Sequence, residues 1–87
     1  MDLSEFKTTR HELKRPLLVI SGTKGVLACG YLNVATFDKL EEAGAIVTGV
    51  GSFEDMLAAE IVAVSQAAEK LGVQLGMQGS EALELFR

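Results

Sequence analysis

Two short apolar runs flank a glycine-rich reversal: Leu17-Leu18-Val19-Ile20 precedes Ser21-Gly22-Thr23-Lys24-Gly25, and Val26-Leu27-Ala28-Cys29 follows it. Each run is too short for a core helix, the first carries β-branched residues, and two glycines within four positions suit a tight turn. The segment therefore reads as a β-hairpin and commits the chain to a sheet. Pro16 marks its start, because proline lacks a backbone donor and biases the residue before it towards extended backbone. Upstream, Leu3, Phe6, Arg10 and Leu13 fall at helical spacing, but Thr8, Thr9 and the coming Pro16 favour a strand. Residues 6–13 are read as an edge strand.

Beyond the hairpin, Asn33 is an N-cap residue ahead of Val34, Phe37 and Leu40, with Ala43-Gly44 as the stop, which predicts a helix of about three turns. Ala45-Ile46-Val47-Thr48-Gly49-Val50 reads as a buried strand. Ser52 and Asp55 have the spacing of a capping box with the shorter acid. Phe53, Met56, Leu57, Ile61, Val64, Ala68 and Leu71 then form one helical stripe that stops at Gly72, predicting a single long helix as the main core-forming element. Its flank of Ala58, Ala59, Val62, Ala63 and Ala67 suggests close packing on two sides, against the sheet and against a second subunit. Val73-Gln74-Leu75 is read as a short strand. Gly76 and Gly79 bracket a turn, and Ser80 is the expected cap of a terminal helix carrying Ala82, Leu83 and Phe86. The expectation is one α+β domain over residues 1–87, ordered β-β-β-α-β-α-(β)-α, with helices packed on a mixed sheet.

With 87 residues, one cysteine and one histidine, the chain has no intrachain disulfide and no Cys/His group at metal-ligand spacing. Small domains draw extra stability from such staples or from partner subunits. A hydrophobic content of 48% and a mean hydropathy of +0.27 therefore point to a homo-oligomer. No apolar run reaches the roughly 18 residues of a membrane span, and the N-terminus, with Asp2 and Glu5, lacks the basic start of a signal peptide. A cytoplasmic location, where a free thiol stays reduced, is the expectation. Residues 1–31 carry net +2 and residues 32–87 carry net −6, giving −4 for the whole. Such a field repels nucleic acid, so the cluster Lys7, Arg10, His11, Lys14 and Arg15 is read as a charged edge that blocks aggregation.

Three segments carry a resemblance: Cys29-Gly30-Tyr31-Leu32-Asn33-Val34, Val50-Gly51-Ser52-Phe53-Glu54-Asp55-Met56-Leu57, and Leu71-Gly72-Val73-Gln74-Leu75-Gly76-Met77-Gln78-Gly79 followed by Glu81-Ala82-Leu83. From about Leu13 onward the chain resembles the YunC-like domains, small bacterial and archaeal proteins of unknown function. The resemblance implies a compact α+β domain with a recurring Cys-Gly pair, and no activity, cofactor or partner. The N-terminus departs from it.

Cys29 is the one strong nucleophile. A helix start nearby favours a thiolate, Gly30 lets backbone approach a ligand, and Asn33 sits at the cap. A thiol nucleophile needs a base, however, and His11 has no evident route to it. Free cysteine is also a common core filler, and packing is the preferred reading. Gly49-Val50-Gly51 before a helix resembles a dinucleotide turn, but Glu54 stands where the third glycine belongs, and Asp55 follows it. These carboxylates would repel phosphate. Gly76, Gly79 and Ser80 form a slightly better anion seat, with only Glu81 in the first turn, but a turn that merely positions the last helix is the preferred reading. The acid pairs Glu41/Glu42 and Glu54/Asp55 diverge on their helices and form no dyad.

These observations favour a non-catalytic, homo-oligomeric domain for ligand binding or protein interaction, without metal or cofactor. The alternative is a small enzyme or redox protein using Cys29 at an intersubunit cleft, where a second chain supplies the base. Nucleic-acid binding through Lys7, Arg10, Lys14 and Arg15 ranks last.

Overall fold

In the computed structural model, which describes residues 1–87, the reversal at Gly22–Gly25 closes the hairpin through a Gly22 N–H to Gly25 O bond of 2.8 Å. Strands β2 (Leu17–Ser21) and β3 (Val26–Ala28) pair antiparallel, with Ile20 opposite Leu27. The two turn glycines also answer to the far end of the chain. A Cβ at Gly22 would lie 2.1 Å from the Phe86 carbonyl oxygen, and one at Gly25 would lie 2.3 Å from the Phe86 ring.

Strand β1 (Lys7–His11) pairs antiparallel with β2 along one edge, all five of its residues exposed. β4 (Gly44–Ile46) runs parallel to β3, and β5 (Ala63–Val64) lies antiparallel on β4, so the order is β1-β2-β3-β4-β5. Helix α1 (Val34–Lys39) connects β3 to β4, α2 (Phe53–Ala58) connects β4 to β5, and α3 (Gln66–Lys70) and α4 (Gly79–Phe86) complete the chain. This is the α+β domain with a mixed sheet that the sequence predicts, with one more helix than expected.

Strand register separates two unequal faces. Leu18, Ile20, Leu27 and Ala45 share one face, continued by Cys29 and Val47, and all are buried with Met56, Leu83 and Phe86 from α2 and α4. On the other face, Phe37 of α1 covers Gly44, where a Cβ would come 2.5 Å from the ring. Leu17 and Val19, on that face of β2, are only half-buried. Alternation along each strand thus drives one side into a core.

The long helix over residues 53–71 does not form. α2 ends at Ala58, Ala59 is extended, and residues 60–64 run along the sheet. Val62 N–H donates to Ile46 O at 2.9 Å and Ser65 N–H to Gly44 O at 2.9 Å. Ile61, Val62 and Val64 are β-branched residues, stiff in a helix, and β4 offers them an unpaired edge. Ser65 then caps α3, accepting from Ala68 N–H at 3.2 Å. The predicted two-sided alanine flank disappears with the helix, and Ala58 and Val62 are exposed.

Smaller departures have equally local causes. α1 has six residues instead of about three turns, because Glu41 adopts φ 59° after the Leu40 cap. β4 ends at Ile46, ahead of the Gly49 turn at φ 70°. Val73-Gln74-Leu75 forms no strand, and Leu75 is exposed. α4 is capped at Gln78 rather than Ser80, with Glu81 Oε1 accepting the Gln78 N–H at 3.1 Å. At α2, Ser52 Oγ accepts from Asp55 N–H at 3.1 Å as expected, but the Asp55 carboxylate reaches Gly51 N–H at 3.0 Å instead of returning to Ser52. Arg87 closes the chain by pairing with Glu5 and with Glu84 at 2.9 Å, its guanidinium 5.2 Å above the Phe6 ring.

Candidate functional site

Cys29 sits one residue past β3, where the hairpin ladder comes apart. Its N–H donates to Leu18 O at 3.1 Å, as a ladder residue would. The return bond differs: Leu18 N–H donates to Cys29 Sγ at 3.3 Å. The Cys29 carbonyl has left the ladder to accept from Leu32 N–H at 3.1 Å, closing a turn with Gly30 and Tyr31 at its centre. The sulfur therefore satisfies a buried strand amide that the turn would otherwise orphan. Cys29 is 4% exposed and belongs to the main core cluster.

That burial is one-sided. A pocket of about 240 Å³ opens against Cys29, lined also by Arg15, Pro16, Gly30, Tyr31, Gly49 and Val50. Three chain segments meet there: the approach to β2, the turn after β3 and the turn after β4. Tyr31 is 49% exposed, and its hydroxyl oxygen accepts from Arg15 N–H at 3.4 Å, joining two of the segments. A Cβ at Gly30 would meet Thr48 Cγ2 at 3.3 Å, so the glycine lets the second and third segments close together. Arg15 supplies the pocket's one formal charge, and none of the three ion pairs involves it.

Of the residues singled out in the sequence, Cys29 and Gly30 line this pocket. Asn33 instead caps α1, its Oδ1 accepting from Ala35 N–H at 2.8 Å. Gly76, Gly79 and Ser80 lie outside the pocket lining. The Gly76 and Gly79 amides are engaged, with Ile61 O at 3.0 Å and Ala59 O at 2.9 Å. Gly79 permits a close helix approach, since a Cβ there would lie 2.0 Å from Met56 O. His11 pairs with Leu17 and so projects from the sheet face opposite to Leu18 and Cys29. Within one chain, no imidazole serves the thiol. Lys7, Arg10 and His11 decorate the exposed edge strand, where Arg10 pairs with Glu12 and its Nη1 donates to Gly51 O at 3.4 Å. No three His, Cys, Asp or Glu side chains converge as a metal site.

The sequence reading did not connect Arg15, Pro16, Tyr31, Gly49 and Val50 with Cys29. Part of the signal was present: extending the Ile20–Leu27 register outward by four residues sets Pro16 opposite Tyr31. The third wall, Gly49-Val50, arrives only through the parallel pairing of β4 with β3.

Comparison with known proteins agrees with this architecture. Residues 28–86 match the domain of unknown function DUF1805. The uncharacterized protein YunC of Bacillus subtilis (strain 168) is 36% identical over 74 residues, covering 80% of this chain and 73% of that protein. The crystal structure of a protein of unknown function, TA1206 from Thermoplasma acidophilum, superposes with a TM-score of 0.83 at 30% identity, covering 94% of this chain and 93% of that one. No helix here is long and apolar enough to cross a membrane. The chain belongs to the DUF1805 family of YunC-like domains, whose function is unknown.

Proposed function

We propose that this domain is a ligand-binding module that works as a homo-oligomer and holds a small molecule in the pocket beside Cys29. One observation carries the reading: three separate backbone segments converge on a pocket lined by Cys29, Tyr31 and Arg15, the last free of any ion pair. Small-molecule sites are concave and place a few polar groups where separate segments meet. At about 240 Å³ it falls below the roughly 300–1,000 Å³ of sites for drug-sized ligands, which suits a small metabolite. Self-association is supported by Leu13, Leu40, Val62 and Leu75, all large, apolar and exposed, and by the half-open sheet face at Leu17 and Val19. The free thiol suits the reducing cytoplasm, and the net charge of −4 disfavours nucleic acid.

Multi-angle light scattering tests the assembly, and a monomer at micromolar concentration removes it. A small-fragment screen followed by amide chemical shifts tests the pocket. Saturable shifts at Gly30, Tyr31, Gly49 and Val50 support the reading, and their absence for every fragment overturns it.

The placement of Cys29 on the pocket wall favours a second reading, in which the thiol reacts and a partner chain supplies the base. Alkylation rate against pH decides it. A thiol inert in the folded protein, or one whose rate profile matches glutathione, counts against chemistry.

A further inference from the structure

Cover over the α1 face of the sheet thins from one side to the other. The register partners Thr9, Val19, Ala28 and Ile46 form one row across β1, β2, β3 and β4 on that face. Ala28 and Ile46 are 0% and 5% exposed, Val19 is half-buried and Thr9 is exposed. α1 has only six residues and sets Phe37 over Gly44 of β4. β1 and β2 are left as a shelf, with Leu17 and Val19 on one strand and Lys7, Thr9 and His11 on the other. Two strands about 4.8 Å apart, with their side chains, make a strip about 10 Å wide, the diameter of one α-helix. Charge on the shelf and on α1 is opposite. Residues 7–15 hold Lys7, Arg10, Lys14 and Arg15 against Glu12 alone, net +3, whereas residues 34–42 hold Asp38, Glu41 and Glu42 against Lys39, net −2. Lys7, Glu41 and Glu42 are exposed and belong to none of the three ion pairs.

We infer that the chain forms a two-fold dimer in which α1 of each copy lies on the β1–β2 shelf of the other, its acidic turn against the basic strand. This rests on the self-association proposed above and specifies the surface and the partner. A two-fold contact uses the same patch on both copies. This chain carries both halves of the complement on one face: a helix standing above β4, and beside it an uncovered strip wide enough for a second helix. Stacked face to face, the two copies set their α1 helices side by side between two sheets, at the usual spacing of packed helices. Leu40, 61% exposed at the end of α1, is the apolar residue the helix brings to Leu17 and Val19. An unrelated acidic protein would answer the basic strand alone. A second copy also uses the acidic turn and Leu40, so each copy gains two contacts from one pairing.

The test is sedimentation equilibrium of the full chain with two charge variants at exposed positions: Lys7→Glu with His11→Glu on the shelf, and Glu41→Lys with Glu42→Lys after the helix. Alone, each variant sets like charges together at both contacts, and its dimer dissociation constant is expected to rise at least about tenfold. Mixed in equal amounts, the two variants are expected to recover the dimer, because every shelf then meets a turn of opposite charge. Thr9→Arg, which crowds the shelf, should weaken the dimer, while Thr8→Arg, on the opposite face of the same strand, should not; this pair decides the matter if a double variant fails to fold. Charge variants that dimerise like wild type, or that do not recover on mixing, overturn the inference and leave self-association standing. A dimer indifferent to Thr9→Arg does the same. A wild-type chain that stays monomeric at micromolar concentration overturns both.

Discussion

Ser65 is the most consequential polar side chain in the fold, and removing its hydroxyl tests how β4, β5 and α3 are joined. It is fully buried, and Oγ takes part in three bonds. It accepts from Gly44 N–H at 2.8 Å and from Ala68 N–H at 3.2 Å, and it donates to Glu42 O at 2.8 Å. Ser65→Ala removes the α3 cap, worth about 1 kcal/mol. It also leaves the Gly44 amide without this acceptor in a buried residue, at about 1–3 kcal/mol. Glu42 is exposed, so water can replace the lost donor there. The expected loss is about 2–4 kcal/mol, a large part of the roughly 4–13 kcal/mol typical of a domain this size. With a urea dependence near the bottom of the usual range, about 1 kcal/mol per molar, the unfolding midpoint should fall by about 2 M or more. Ser52→Ala is the control, because Ser52 caps α2 through the Asp55 amide alone. It should cost about 1 kcal/mol. A Ser65→Ala loss no larger than the Ser52→Ala loss would refute the claim that this hydroxyl ties α3 to β4 as well as capping it.

Gly79→Ala should lower the melting temperature, although alanine is ordinarily the better helix former by about 1 kcal/mol. The new methyl meets Met56 O at 2.0 Å, so α4 must move off α2, at a typical overpacking cost of about 1–3 kcal/mol. In chemical denaturation, Phe86→Ala, at a fully buried position, should lose about 3–5 kcal/mol. The Arg87 side-chain hydrogen bond and charge hold the Glu84 carboxyl below its ordinary range. Its contribution to stability is therefore present above that range and fades as pH falls through the lowered value. A carbon-detected NMR titration should show Glu84 returning to normal in Arg87→Ala.

The hairpin, the charged edge strand, the Asn33 and Ser52 caps and the apolar terminal helix were all legible in the sequence. Each depends on contacts between near neighbours: a glycine reversal, a threonine-rich run, a side-chain oxygen two or three residues from an amide, a 3.6-residue repeat. The α+β class follows from their order. The family resemblance also rested on sequence alone.

Residues 53–71 show where local reading stops. Their apolar spacing fits a helix, and the competing state becomes available only when the β4 edge is present to accept Val62 and Ser65. A strand partner about 20 residues away leaves no periodic mark in the segment it captures. The pocket has the same origin. Cys29 was visible as a reactive type at the end of an apolar run, but its sulfur receives the Leu18 amide because the chain turns at Gly30. Arg15 joins it across the hairpin, and Gly49 and Val50 join it across the parallel β3–β4 pair. The sequence by itself determined which residues could form strands, turns and caps, since those preferences act over a few bonds. Only the tertiary structure decided that a long apolar stripe would break after Ala58 and that three distant segments would meet beside the one thiol, because both depend on pairing between strands far apart in the chain.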